Sequence, residues 1–231
     1  MRDDLLDRVR QLWLALAGVD GPFPGAGQAR VLVSPGSKLG PPGWVGVVAL
    51  GEAVVVTVPS KRWQALGAGR ISAAEWTDPD RLRQVMPIVE VLGPATLAYF
   101  DGDPAGLDST ETVSPGHPDL EALLTSVPAE EADESGIAEI TSPAAVLRRG
   151  RQVIAAAGYR RWPGEIAQLS VLTAPEQRGR GLARAVAGAA VAHAVANRLL
   201  PQWRARHDAS RRVARALGFR ELGVQVSTAL S

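Results

Sequence analysis

Apolar positions at the start of the chain repeat with a helical period. In MRDDLLDRVRQLWLALAG, Leu5, Val9, Leu12, Trp13 and Leu16 share one face, and Asp3 or Asp4 stands where an N-cap belongs. Strand patterns follow over residues 29–33, 44–50 and 52–59. The valines of the third run on without alternation, as in a strand buried on both faces. The spacing predicts a helix over 79–91 and a strand over 95–100. Residues 101–118, rich in Gly, Pro, Asp, Ser and Thr, read as a loop or linker. A helix is expected at 119–126, followed by the acidic segment PAEEADESG (128–136).

The second half is more regular. Strands at 144–147 and 153–159 flank RRGR, a hairpin turn. Pro163 and Gly164 turn the chain into a strand over 165–172. A helix at 181–198, short of large side chains, is built to lie close against a sheet. A short strand at 201–206 precedes a helix at 208–217, with Asp208 as N-cap, Gly218 as stop, and Ala209, Val213 and Leu217 as its buried stripe. Residues 219–230 close the chain as one or two strands. Mixed strands and helices with several hairpins give an α+β (mixed α/β) class. Residues 172–179 and 56–63 echo each other at three positions (Thr173, Pro175 and Arg178; Thr57, Pro59 and Arg62), a match that chance explains better than repetition.

Composition narrows the function. The chain has 231 residues, enough for one large domain or two small ones, and a net charge of +1. A mainly electrostatic nucleic-acid binder carries a stronger basic excess. The absence of cysteine excludes thiol catalysis, disulfides and thiolate metal sites, and fits a reducing cytoplasm. The first residues are acidic where a secretory leader would be basic, and no apolar run reaches membrane-spanning length. Three scattered histidines, His117, His193 and His207, do not make a metal site.

The most informative stretch is RGRGLARAVAGAAVAHAVA (178–196). Glycines between a strand and a helix let backbone approach a ligand closely, and the helix start offers unpaired N–H groups. Arg178 and Arg180 add charge. The combination suits a phosphate or pyrophosphate, although a plain flexible turn has the same composition. The Walker pattern fails for want of Gly-Lys-Ser/Thr, and the dinucleotide fingerprint fails at Arg184.

The pattern that fits is Arg/Gln-x-x-Gly-x-Gly/Ala, here Arg178, Gly181 and Ala183. This segment resembles the pyrophosphate loop of the GNAT acetyltransferase superfamily. LSVLTAP (169–175) resembles the family's central strand, and ASRRVARALGF (209–219) its closing Ala-Ser…Leu-Gly-Phe helix. PQWRARHDAS (201–210) resembles a branch with Pro-x-Trp before that helix. The resemblance covers 137–231 and implies a GNAT-like central mixed, mostly antiparallel sheet flanked by helices. Domains are expected at 1–126, an α/β region serving the acceptor or a degenerate GNAT-like half, and at 127–231, the acetyl-CoA-binding domain.

The resemblance implies acetyl-CoA as donor and an amine as acceptor. Amides of Gly179, Arg180, Gly181, Leu182 and Ala183 would hold the pyrophosphate beside Arg178. The backbone from Leu169 through Val171, Leu172 and Thr173 would pair with pantetheine in a gap between neighbouring strands. His207 and Ser210, at the start of the closing helix, would reach the cofactor. A lysine-like amine is neutral in only about one molecule in 2,500 at pH 7, so a base is useful. Glu165 is the candidate, thirteen residues before Arg178, a spacing that resembles histone-modifying members; an exposed strand-end carboxylate is the alternative. The family's tyrosine acid falls at Ala214, so that acid is absent or replaced. This keeps open a non-catalytic acyl-CoA-binding or sensing protein. The acidic run of Glu130, Glu131, Asp133 and Glu134 could attract a cationic amine or simply be a solvated loop. Arg211, Arg212, Arg215 and Arg220 form a basic surface open to the CoA 3′-phosphate or to water. Trp44, Trp63, Trp76 and Trp162 are core or pocket residues, and His193 reads as structural. Nothing in the sequence specifies the acceptor or chooses between monomer and homodimer.

Overall fold

The structure, a computed structural model, describes residues 3–67, 71–104 and 110–231. In chain order these are α1 (Asp4–Ala17), β1 (Ala29–Val33), β2 (Val45–Leu50), β3 (Ala53–Val58), α2 (Lys61–Gly67), α3 (Pro79–Val85), β4 (Ile88–Tyr99), β5 (Glu111–Val113), α4 (Pro118–Leu124) and α5 (Ala129–Ser135). Then come β6 (Ala144–Arg149), β7 (Gln152–Trp162), β8 (Ile166–Thr173), α6 (Leu182–Ala196), β9 (Leu200–Ala205), α7 (Asp208–Ala216) and β10 (Arg220–Leu230). The chain divides into two compact units, Met1–Leu97 with Glu221–Ser231, and Ala98–Arg220. The boundary expected at 126/127 falls inside the second unit, because β10 runs antiparallel along β2 and so returns the last residues to the first unit. Of the loop expected over 101–118, residues 105–109 lie outside the described residues.

In the first unit the strand order is β1-β3-β2-β10-β4. The unbroken valines of β3 are all buried, as a central strand between parallel β1 and antiparallel β2 requires. α1 buries the expected stripe; the Asp3 carboxylate accepts the Leu6 N–H at 3.3 Å, and Gly18 ends the helix at φ 64°. The helix predicted over 79–91 stops at Val85. Pro87 pushes Met86 into extended backbone, φ −135° and ψ 145°, and the chain continues as β4.

The second unit carries β9-β8-β7-β6-β5 with layers on both faces. One face packs α6 through Ala187, Ala190 and Ala194 onto Ala155, Ala157, Ala167 and Leu169; the small side chains allow the close contact expected of them. The opposite face is covered by Leu120 and Leu123 of α4 with Ile137 and Ile140. The acidic segment is a helix, α5, rather than a loop: Glu130 and Glu131 lie in its first turn, where the helix dipole favours them, and Gly136 ends it at φ 66°. In α7 the N-cap is His207 rather than Asp208, and Ala209 is exposed while Ala214 and Leu217 are buried, so the apolar face is rotated from the predicted stripe.

A carboxylate organises one corner of the first unit. Glu75 accepts from the Ser72 N–H and from the Arg81 Nε, both at 2.7 Å, and hydrogen bonding by Ser72 followed by Arg81 holds its pKa down at about 2. A depressed carboxyl pKa stabilises the fold above the unfolded value near 4.5 and loses that contribution as pH falls toward 2. The stability difference between wild type and Glu75→Gln is therefore expected to be largest above pH 5 and to vanish near pH 2. Denaturant unfolding across that range checks it, and a difference independent of pH contradicts it.

Candidate active site

β8 and β9 are parallel, but their ladder has only three rungs: Ile166 with Leu200, Ala167 with Pro201, and Gln168 with Gln202. The Leu200 N–H donates to the Glu165 carbonyl at 2.8 Å and closes the near end. Beyond Gln168 and Gln202 the strands part, although β8 continues to Thr173 and β9 to Ala205. The result is a fork. On its other side β8 is paired with β7 from Ile166 to Thr173, so β8 is fixed while its β9 edge beyond the third rung pairs with no strand among the described residues; the Leu169 and Thr173 carbonyls there are met by the Gln168 and Arg178 side chains.

The open end of β8 leads through a short 3-10 turn (Pro175–Gln177) into the glycine loop. Gly179 and Gly181 have φ of 76° and 77°, and a Cβ at either would meet nothing within 4 Å. Only glycine adopts this backbone cheaply, so the loop is shaped by conformation and not by crowding. No side chain caps α6 at Gly181, and the N–H groups of Gly179, Arg180, Gly181 and Leu182 have no acceptor among the described residues. Arg180 is exposed beside them. Free amides, a helix dipole and a guanidinium together make an anion cradle with room for a pyrophosphate.

The arms of the fork are tied to α5. The Arg178 Nε donates to the Thr173 carbonyl at 3.3 Å, and its Nη2 is bonded to Glu131. One helical turn on, Glu134 accepts from Arg206 at 3.0 and 2.9 Å and lies 3.3 Å from the His207 Nε2. Partial burial pushes the Glu134 carboxyl up, but Arg206 and His207 outweigh it and leave the pKa lowered. Two carboxylates of the acidic run are thus paired with arginines that follow β8 and β9, while Glu130 and Asp133 are exposed.

The other expected residues are spread more widely. Glu165 does not begin the strand; it is an exposed turn residue at φ 60°, with the three rungs between it and the fork. Leu169 and Val171 point toward α6, so only their backbone edges the fork. The Ser210 hydroxyl accepts the Trp203 indole N–H at 2.9 Å, and that buried indole stacks edge-on to Phe219 at 5.5 Å. His207 is exposed. Ala214 is buried among α6 and β9 residues and supplies no acid. His193 bonds to the Tyr159 hydroxyl at 3.0 Å on the α6 face, and His117 caps α4. Trp76 is core; the guanidinium groups of Arg160 and Arg204 lie 5.9 and 5.7 Å from the Trp162 ring. Arg211 and Arg220 pair with Asp208 and Asp101.

Two residues went unnoticed in the sequence. Gln168 and Gln202 form the last rung of the ladder. Gln202 is fully buried with neither amide atom hydrogen-bonded among the described residues, and the Gln168 Oε1 is also buried without a partner. Such groups cost about 1–3 kcal/mol each when left unpaired. The signal was a polar amide at the third position of each strand, among mostly apolar neighbours.

The site is thus a fork between parallel strands that runs out to an uncapped, glycine-led helix. Residues 144–223 match the family model for GNAT acetyltransferase. A GNAT-family protein from Novosphingobium aromaticivorans is 27% identical at a TM-score of 0.50; the match covers 61% of this chain and 65% of that one, just under two thirds of its length. A GNAT-family acetyltransferase from Colwellia psychrerythraea has the same TM-score over 81% of each chain at 14% identity, a likeness of fold. None of the curated proteins matches the chain. No helix among the described residues is long and apolar enough to cross a membrane.

The left-handed backbone at Gly181 has a measurable cost of substitution. Gly181→Ala is expected to lower unfolding free energy by about 1–2 kcal/mol through strain alone. Urea unfolding checks this, and an unchanged midpoint contradicts the loop conformation.

Proposed function

We propose that this protein is an N-acetyltransferase that moves an acetyl group from acetyl-CoA to a primary amine by direct attack in a ternary complex. The observation that carries the reading is the fork of β8 and β9 leading to the unpaired amides of Gly179–Leu182. Those amides and Arg180 suit the pyrophosphate. Arg178 can join them if phosphate displaces Glu131 from its guanidinium. The free edge of β8 from Leu169 to Thr173 suits pantetheine, whose amides can pair with it as an added strand would. His207, exposed at the start of α7, is placed to approach the cofactor, whereas the Ser210 hydroxyl is engaged with Trp203 and steadies that strand.

In the reaction the amine nitrogen attacks the thioester carbonyl carbon, the C–S bond breaks and CoA leaves as thiolate. The amine's surplus proton passes to a base, and the thiolate takes up a proton. Three rungs of ladder, roughly 10 Å, separate Glu165 from the fork, so its carboxylate acts through water and not by contact. Glu165→Gln is expected to lower acetyl transfer by less than about tenfold, where losing a base in direct contact costs 10²–10⁴-fold. A larger loss, at unchanged acetyl-CoA affinity, restores Glu165 as the base.

A second reading, acyl-CoA binding without turnover, is favoured by Ala214, which leaves the closing helix without the family's acid. Thiol release from acetyl-CoA with a panel of amines separates the two readings. We place the protein in the cytoplasm, where a chain without cysteine needs no oxidising environment.

Acetyl-CoA is expected to raise the melting temperature, as any ligand of the native state does, and Gly181→Val to abolish that rise by filling the cradle. A full rise in the variant contradicts the placement of the pyrophosphate.

A further inference from the structure

The Gln168–Gln202 rung stands where the fork closes. Partners in a parallel ladder point to the same side, and Gln168 is also the register partner of Arg160, on the sheet face opposite α6. Gln168 is partly exposed and Gln202 fully buried, so the pair reaches from the surface into the interior at the end of the ladder. The Gln168 Nε2 makes a single contact, 3.3 Å to the neighbouring Leu169 carbonyl. Its Oε1 and both amide atoms of Gln202 make none among the described residues. Buried side-chain amides are ordinarily hydrogen-bonded. Two adjacent ones holding three unused polar atoms mark a place that a polar ligand group completes.

The geometry points to that group as the acyl carbonyl of an acyl-CoA, an inference that rests on the transferase reading above. The phosphate cradle lies past the open end of β8. From there to the rung, residues 169–173 span roughly 16 Å of extended strand. Pantetheine, with its two amides and thioethylamine tail, is an extended chain of comparable length. A donor anchored at the cradle and laid along β8 brings its thioester to the closed end of the fork. An amide N–H of the glutamine pair then donates to the acyl oxygen. The amide oxygen stays available to accept an N–H from the arriving amine. Since oxygen and nitrogen of a side-chain amide exchange by a flip, either glutamine can present its donor. The pair is therefore a recognition site for the acyl group, distinct from the loop that holds the phosphates.

The test compares acetyl-CoA with free CoA, which lacks only the acyl group, by calorimetric titration of the full chain. Wild type is expected to bind acetyl-CoA more tightly than CoA. In Gln202→Met, which keeps volume and removes the amide, that preference is expected to fall about two- to tenfold toward unity, with CoA affinity unchanged. Gln168→Met, at the partly exposed position, gives the same result if Gln202→Met does not fold. Wild-type binding of both ligands with no preference overturns the inference and leaves the transferase reading intact. So does a preference that survives in both variants, which assigns the orphaned atoms to buried water. Failure of wild type to bind either ligand overturns both.

Discussion

The site depends on a sheet ladder that stops. Parallel strands normally pair along their shared length, yet β8 and β9 pair over three residues and then diverge. Divergence exposes strand edge, which costs unmet backbone hydrogen bonds unless something else meets them. What holds β8 straight while its edge is open is the full antiparallel ladder with β7 on the other side, eight rungs from Trp162–Ile166 to Ala155–Thr173. The alanine-faced α6 packs close against one face of the strand. An open edge on a rigid strand, next to a helix start, suits the extended, charged-ended chain proposed for it.

Electrostatics sets the rest of the arrangement. The arms of the fork end among arginines, and α5 meets them with Glu131 on Arg178 and Glu134 on Arg206. These pairs are part-exposed, and their contribution to stability is modest. Their consequence lies in binding: a phosphate approaching Arg178 competes with a carboxylate already there, while the backbone amides at Gly179–Leu182 have no such competitor. In the proposed binding mode main-chain donors therefore carry the anion, and the guanidinium groups tune it.

Much of this was legible in the sequence, for identifiable reasons. The loop was readable because two glycines between arginines, at the end of an apolar strand, have few structural uses. α6 was readable from its small side chains, and α7 from Leu-Gly-Phe at its end. The errors have equally local causes. Pro87 cuts short a helix whose spacing continued beyond it. The acidic segment looked like a loop because charge density hid a seven-residue helix whose partners, Arg178 and Arg206, are distant in sequence. The spacing that singles out Glu165 does not by itself give its distance from the fork, which the three rungs set. The glutamine rung could not be found by periodicity, since its meaning arises only when two strands are placed side by side.

The most direct measurement of the central claim is amide hydrogen exchange with and without acetyl-CoA. The account predicts slowed exchange at 169–173 and 179–183, together, with the β7 ladder unchanged. Protection elsewhere, with those two stretches exchanging as fast as in the free protein, would contradict it.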